Sequence, residues 1–535
     1  MFARRVHHNK RPFDKLALMA GRQQSFSMSW TRSPIASFLA AFFLSFASPL
    51  SMTSAAGPQP NIVLILVDDL GWADLSCTGS TFYETPHIDA LAQSGALFTD
   101  AYAASPVCSP TRASILSGKY PSRIGMSYLA GVRGPCGQSH KLAPPPVVGN
   151  IPHEDTTLAE ALKAAGYTTA HLGKWHLQGH GEKGTDNFPD KHGFDINIAG
   201  QNAGQPGSYH YPYQSKHHPQ MDVIGMDDGK KGDYLTDALT SKAIEFVKGH
   251  AEKPFFLNLW YYTVHTPIEP RKDKLEKYSA KAKSLGFDQS IPEAIQEHQS
   301  LSKSRQDNPS YAAMVESLDE NVGRLMAELE RLGLKEKTIV IFFSDNGGLS
   351  TGNGPNMPTA NLPLRAGKAW LYEGGIREPL IISYPPKIKA GVQITEPVVS
   401  TDIFPTVLGL AGLPLMPEQH VDGHDLGPLV VGHNPTLDRE AIYFHLPHYH
   451  HINTMGPSGA IRSGDYKLIE VFETGKKELY NVREDIGETH DLAAEAPELV
   501  GKLSKMLDQW RQDSGAKMAL LYPLYAPEKD WRKNK

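Results

Sequence analysis

Two adjacent aspartates, Asp68 and Asp69, follow directly on the β-prone apolar run Asn61-Ile-Val-Leu-Ile-Leu-Val67. Carboxylates side by side at the end of a buried strand repel each other unless something positive stands between them. A second such run, Thr338-Ile-Val-Ile-Phe-Phe343, ends in Ser344-Asp345-Asn346-Gly347-Gly348. Asp345 and Asn346 would add two oxygens. Three carboxylates and an amide suit a hard cation, Ca2+ or Mg2+, better than zinc. Taken alone, the Asp68-Asp69 pair reads first as loop or helix-cap residues; the matching segment after the second strand tips the reading to a metal.

Cys108 lies in Ser105-Pro-Val-Cys108-Ser-Pro-Thr-Arg112. Ser109 is suited to cap a helix and Pro110 to its first position. Cys108 would then sit where backbone N–H groups and the helix dipole favour an anion, with Arg112 one turn further on. A lone cysteine near a helix start is more often a buried thiol. Other polar residues also close apolar runs: Lys174 and His176 follow Tyr167–Leu172, and His265 follows Pro254–Tyr262. In open α/β sheets the ligand site lies at the carboxyl ends of the strands, so distant segments can meet in one cleft.

The elements that would do this positioning alternate. Helices are expected over Thr157–Ala165 (stopped by Gly166), Tyr234–Lys248 and Tyr311–Leu332, between the strand-like runs. Repeated β–α units predict an α/β fold with a large, mostly parallel or mixed sheet flanked by helices. Segments 200–232 and 268–310 are polar and read as surface insertions that shape a cleft. Near residue 420 the character changes. A hairpin around Ser463-Gly464-Asp465, a strand at Glu478–Val482 and a helix over Glu498–Asp513 predict a smaller C-terminal α+β domain. The division is therefore 57–420 and 421–535. His445, His448, His450 and His451 are crowded together. Their spacing is poor for zinc, and a substrate-cleft or surface loop is the better reading.

Residues 1–56 read as a secretory signal peptide. A basic stretch is followed by the apolar run Ile35–Ala47 and the small residues Ser54-Ala55-Ala56. The run is short for a membrane anchor, and no later stretch could cross a bilayer. The expected location is secreted or periplasmic. The leader holds seven basic residues against one acidic one, so the remainder is six charges more negative than the −5 of the whole chain. An acidic protein of this kind is a poor nucleic-acid binder. Three cysteines are no disulfide framework, although Cys77 and Cys136 could pair in an oxidising compartment if Cys108 is used chemically.

Cys108-Ser-Pro-Thr-Arg112 resembles the Cys-x-Pro-x-Arg signature of the sulfatase family, and Ala113–Arg123 resembles the rest of that motif, with Leu116-Ser-Gly-Lys119 where Leu-Thr-Gly-Arg is frequent. Gly173-Lys-Trp-His176, His265-Thr-Pro267, Leu364–Lys368 and Glu373–Arg377 resemble its other motifs, and Ile461–Lys467 more loosely a C-terminal one. The resemblance implies an alkaline-phosphatase-like fold. It implies that a maturation enzyme oxidises Cys108 to formylglycine, which joins Asp68, Asp69, Asp345 and Asn346 around a divalent metal, Ca2+ or alternatively Mg2+. It further implies that Arg112 steadies the nucleophile and that Lys174 and Lys368 bind sulfate oxygens. His176 would take the proton for sulfate release, and His265 would help protonate the leaving alcohol. The implied substrate is a sulfated small molecule or glycan. The competing expectations are a phosphonate or phosphate monoester hydrolase of the same fold and a carbohydrate-binding pseudoenzyme. The second is disfavoured because no expected catalytic position is missing.

Overall fold

The strand Asn61–Val67 is buried at every position. Its side chains divide by the period of two that a strand imposes. Val63, Ile65 and Val67 enter one apolar layer; Ile62, Leu64 and Leu66 enter the other. A strand apolar on both faces needs neighbours on both edges and helices above and below. The computed structural model supplies all four. It describes residues 59–179, 186–287, 292–352, 354 and 357–534; the expected leader, residues 1–56, lies outside them.

The main sheet has nine strands. Eight lie in the order Val392–Ile394, Ala96–Tyr102, Arg377–Ser383, Thr338–Ser344, Asn61–Val67, Phe255–Trp260, Thr168–Gly173, Ile196–Ile198, and Val398–Val399 pairs with Ala96–Tyr102 off that path. The run from Thr338–Ser344 to Ile196–Ile198 is parallel throughout. Arg377–Ser383 runs antiparallel to both its neighbours. The sheet is therefore mixed, with the parallel block expected from the β–α repeats.

One face is covered by Leu235–Gly249 and Pro309–Arg331, the other by Cys108–Ser117, Leu158–Ala164 and Ile403–Ala411. Pro309–Arg331 shows why the chain is helical there. The Asn308 side chain caps it by accepting from the N–H of Ser310 at 2.9 Å and of Tyr311 at 3.3 Å, and Pro309 fits the first turn. Tyr311, Val315, Leu318, Val322, Leu325 and Leu329 are buried at alternating spacings of four and three, the stripe of a helix facing a core. Leu158–Ala164 opens with a reciprocal cap: Thr157 Oγ1 accepts from Glu160 N–H and Glu160 Oε2 accepts from Thr157 N–H.

Two expectations change. Segment 268–310 carries regular structure, a helix at Lys272–Leu285 and a hairpin of Ala294–Glu297 with Ser300–Lys303. The helix is polar because only a thin strip, including Lys274 and Tyr278, is buried. Cys77 and Cys136 do not pair; all three cysteines are free, Cys77 half-buried and Cys136 exposed.

The smaller C-terminal domain is a four-stranded antiparallel sheet, Ile442–Leu446, Ser458–Ser463, Tyr466–Val471 and Lys477–Asn481, packed by the helix Pro497–Asp513. The hairpin turns where expected, with Gly464 at φ 56°. The first strand, which contains His445, was expected as loop.

A buried ionic seam joins this sheet to the main one. Lys467 Nζ lies 2.8 Å from Glu373 and 2.7 Å from Glu488, with all three side chains fully buried. Tyr102 Oη donates to Glu373 at 2.7 Å, while Asp100 receives Arg377 at 2.5 Å and Arg462 at 2.7 Å. Burial works to raise Glu373, but Lys467, Arg377 and Arg462 outweigh it and hold the carboxyl at about 2. Burial raises Glu488 to about 7 against the pull of Lys467. Lys467→Met removes the shared cation and leaves two buried carboxyls facing each other. It should destabilise the protein by about 3–5 kcal/mol, read as a lower denaturation midpoint in guanidinium. An unchanged midpoint would show that the seam holds nothing together.

Candidate active site

Strand register gathers the polar residues. Val67 pairs with Ser344, Leu66 with Trp260, and Gly173 with Trp260, so four strands end at one level. The backbone ladder continues past them. Asp68 N–H donates to Thr263 O at 3.1 Å, Asp345 N–H to Val67 O at 3.1 Å, and Lys174 N–H to Trp260 O at 2.8 Å. Asp68, Asp69, Lys174, His265, Asp345 and Asn346 are thereby set side by side from four remote segments.

The backbone is under tension at these points. Asp69 and His176 have φ of 60° and 57°, and Ala366 and Ala369, flanking Lys368, have 57° and 71°. Each left-handed non-glycine residue costs roughly 1–2 kcal/mol and persists only where its surroundings dictate it. Gly173 has φ 102°, and a Cβ there would stand 1.9 Å from Trp260 O. This close approach turns the chain and aims Lys174 inward.

Each aspartate has its own cation. Lys174 Nζ donates to both oxygens of Asp68 at 2.8 and 2.7 Å. Lys368 Nζ donates to both oxygens of Asp69 at 2.6 and 2.8 Å. Arg112 binds Asp345 through Nε at 2.8 Å and Nη2 at 2.7 Å, donates to Lys174 O at 2.8 Å, and lies over the Trp260 ring. Burial still pushes Asp68 up to about 7 against Lys174. At Asp69 burial is outweighed by Lys368 and His265, which hold it below the usual carboxylate range.

Cys108 is the first residue of the helix Cys108–Ser117, which is buried throughout. The expected Ser109 cap does not form. The N-cap is Val107, which makes no side-chain bond, and Ser109 Oγ instead donates to His176 O at 2.8 Å. The helix thus starts two residues earlier than expected, yet Cys108 stays at its N-terminus. Its Sγ is 3.6 Å from Asp68 Oδ1 and 3.5 Å from Lys368 Nζ. Burial raises the thiol to about 12 against Lys174 and Lys368, so the unmodified cysteine is a poor thiolate nucleophile here.

Asp68, Asp69, Cys108 and His265 bring one donor atom each within 4.8 Å of one another, a group able to hold a metal. Asn346 Nδ2 donates to Asp69 at 2.8 Å, while its Oδ1 is buried with no hydrogen-bond partner. A buried amide oxygen without a donor is unusual, and a hard cation would satisfy it. His265 Nε2 lies 3.1 Å from Lys368 Nζ. Burial lowers this imidazole to about 3, with Lys368 adding to the effect.

Above these groups opens a cleft of about 970 Å³. Asp69, Cys108, His176, His265 and Lys368 form its floor, whereas Lys174, Arg112 and Asp345 lie beneath it, fully buried. Its walls include Asn202, Gln205 and Gln220 from segment 200–232 and His450 and His451 from the C-terminal domain. The cleft reading therefore holds for His450 and His451. His445 sits in a strand, and His448 is buried against Tyr128. The amide residues of the wall carry no motif; the only signal for them was the polar composition of the insertion, whereas His450 and His451 were marked by the crowding of histidines. Asn361, also missed, pins the Lys368 loop by donating to Gly348 O, Ala366 O and Gly374 O, each at 3.0 Å.

The sulfatase family model matches residues 60–413, and the model for the C-terminal part of N-sulphoglucosamine sulphohydrolase matches 366–513. A sulfatase of Formosa agariphila is 33% identical over 86% of this chain and 91% of its own length. The N-acetylgalactosamine-6-sulfatase of Mus musculus is 34% identical over 74% of this chain and 71% of its own. The crystal structure of Ps i-CgsB in complex with k-i-k-neocarrahexaose superposes with a TM-score of 0.66 at 30% identity, covering 85% of this chain and 93% of that one. The chain belongs to the sulfatase family. It is a sulfuric ester hydrolase on an alkaline-phosphatase-like fold.

Gly173→Ala tests how the strand end is built. The added methyl meets a backbone carbonyl and a strained φ, so a loss of about 1–3 kcal/mol is expected, together with lost activity. Unfolding curves and turnover measured on the same preparation check it; a variant with wild-type stability would refute the close approach.

Proposed function

We propose that this protein releases sulfate from a sulfated carbohydrate, using a formylglycine formed from Cys108 and a divalent cation held by Asp68, Asp69, Asp345, Asn346 and the modified residue 108. One observation carries the reading: the side chain of residue 108 lines the cleft within 3.6 Å of Asp68 and 3.5 Å of Lys368, and Asn346, which donates to Asp69, keeps a buried amide oxygen without a donor. The donors are hard oxygens, which favours Ca2+, with Mg2+ as the alternative. The carbohydrate reading draws support from the relative named for N-acetylgalactosamine-6-sulfate and from the structure holding a neocarrahexaose.

Bound there, the cation would polarise sulfate oxygens and favour an ionised nucleophile. The chain's own residues divide the remaining work. Lys368 lines the cleft and meets a sulfate oxygen beside residue 108. From beneath the floor Lys174 and Arg112 fix Asp68 and Asp345 and offset their charge, and by the family resemblance Lys174 binds a second sulfate oxygen while Arg112 steadies the nucleophile. Burial and the Lys368 ammonium favour the neutral form of His265. An anionic ester arriving beside it favours the imidazolium, the form that gives the leaving alcohol its proton. His176, also on the floor, takes the proton that accompanies sulfate release.

Residues 1–56 are assigned as a secretory leader, 57–420 as the catalytic part and 421–535 as the part that completes the cleft. Among the described residues no helix is long and apolar enough to cross a membrane. Export to the periplasm or the exterior, and maturation by a formylglycine-generating enzyme, go with this assignment.

Peptide mass spectrometry of active protein should find formylglycine at position 108, and Cys108→Ala should abolish sulfate release. Full activity from protein carrying only the thiol would rule out the mechanism. Metal binding has a readout independent of turnover. Ca2+ at about a hundred times its dissociation constant should stabilise the fold by roughly 2.7 kcal/mol, seen as a higher melting temperature that a chelator reverses. Asn346→Ala should shrink that rise. Identical melting with Ca2+ and with chelator would refute the site.

A further inference from the structure

Residues 450–453 make a tight turn, closed by Asn453 N–H donating to His450 O at 3.1 Å. His450, His451 and Ile452 from this turn line the cleft. A turn of this size has no core of its own, so whatever holds its two ends decides where those side chains stand. The downstream end is bolted to the loop that delivers Lys368. Asn453 Nδ2 donates to Ala369 O at 2.7 Å, and Trp370 Nε1 donates to Ile452 O at 3.2 Å.

The upstream end is held by a different part of the chain. Tyr449, directly before His450, donates through Oη to Glu473 Oε1 at 2.7 Å and accepts from Leu142 N–H at 3.1 Å. Its ring is met edge-on by His140 at 4.6 Å and by Trp531 at 5.6 Å. Glu473 is buried, and its other oxygen lies 2.7 Å from Arg532 Nη1. Arg532 is steadied in turn by both oxygens of Asp530, at 2.9 Å each. Backbone bonds keep this tail in register with residues 138–141. Ala526 N–H donates to Gln138 O at 2.8 Å, Trp531 N–H to Ser139 O at 3.0 Å and Tyr522 N–H to Lys141 O at 2.8 Å. The tail lies beyond residue 513, the last that either family model matches.

We infer that Trp531 and Arg532 are positioning residues for substrate binding, which fix Tyr449 and Glu473 and thereby hold the wall of His450 and His451 in place. This rests on the sulfated-carbohydrate reading and deepens it, because it gives the wall that meets the sugar a support separate from the groups that meet the sulfate. Removing the arginine leaves a buried carboxylate without its cation, and Glu473 then no longer fixes Tyr449 Oη. A wall with one end loose must be ordered by the substrate itself, which weakens binding. The floor keeps its own supports in the strand ends and Asn361, so the loss falls on the sugar and not on the chemistry.

The test sets Arg532→Ala and Trp531→Ala against wild type on two substrates. One is a sulfated saccharide, N-acetylgalactosamine 6-sulfate or a sulfated neocarrahexaose, whichever the wild type turns over faster; the other is 4-nitrophenyl sulfate, which has no sugar. KM for the saccharide should rise on the order of tenfold with kcat within about twofold, while kcat/KM for 4-nitrophenyl sulfate stays within about twofold. Arg532→Lys should recover part of the KM. Tyr449→Phe keeps the ring and removes the hydroxyl; it should raise KM likewise, and adding it to Arg532→Ala should change little more, because both act through one contact. Amide hydrogen exchange reads the wall without any substrate: residues 447–453 should exchange faster in Arg532→Ala, and residues 364–370 should not. Comparing two substrates on one preparation cancels any loss of folded protein, and Trp531→Ala, at a half-buried position, carries the test if Arg532→Ala does not fold. Equal losses on both substrates, no loss on either, or unchanged exchange at 447–453 overturns the inference and leaves sulfate-ester hydrolysis standing. Turnover of 4-nitrophenyl sulfate with sulfate released from neither saccharide overturns the carbohydrate reading, and the inference falls with it.

Discussion

Two carboxylates, Asp68 and Asp69, are buried side by side at the end of the central strand, and the surrounding structure is arranged around their repulsion. Unit charges about 4 Å apart interact by roughly 4 kcal/mol at the effective dielectric of a protein surface, and by more in a drier site. Each aspartate therefore has a lysine to itself, and the two lysines come from opposite directions. Lys174 arrives from the end of Thr168–Gly173, two places along the sheet, whose turn requires Gly173. Lys368 arrives on a loop tied down by Asn361 and bounded by two strained alanines. Asp345 completes the set from the other flanking strand and is held by Arg112 from the helix that presents Cys108. Moving any of these elements would leave a buried carboxylate uncompensated, so the sheet register, the helix entry and the loop are specified by the same electrostatic demand.

Much of this was legible in the sequence because the demand leaves local marks. Asn61–Val67 and Thr338–Ser344 are continuous apolar runs ending in acid, which only a strand buried on both faces produces. The long helix announced itself through a stripe and a cap. Features that depend on remote geometry were not legible. Ser109 has the composition of an N-cap, but its hydroxyl finds His176 O first, a partner 67 residues away. Lys272–Leu285 buries too little to show a clear apolar face. Ile442–Leu446 runs into a histidine-rich segment, and the histidines masked its β character. The cleft walls are amides and imidazoles from two distant loops, and nothing in their spacing shows that they face each other.

The motif Glu373-Gly-Gly-Ile-Arg377 illustrates how a resemblance can locate residues without revealing their work. Its charged ends point away from the cleft. Glu373 and Arg377 enter the seam with Lys467, Arg462 and Asp100, while the glycines let the turn pass close to neighbouring backbone: a Cβ on Gly375 would stand 2.1 Å from Trp370 O and one on Gly374 2.4 Å from Ala366 O. The seam fixes the C-terminal sheet, which carries His450 and His451 to the cleft. The same stretch of chain, residues 364–377, thus delivers Lys368 to the floor at one end and anchors a wall-bearing domain at the other.

An acidic protein that processes an anion must reverse its own field locally. Here the reversal is confined to short range. Three carboxylates in and beneath the floor meet Lys174, Lys368 and Arg112, so the machinery is close to neutral before any metal arrives, and a bound divalent cation would make it positive only in its immediate vicinity. Beyond that distance nothing on the described walls extends the positive potential. At physiological ionic strength the potential of exposed charges fades within about 8 Å, so a long-range field gives little steering.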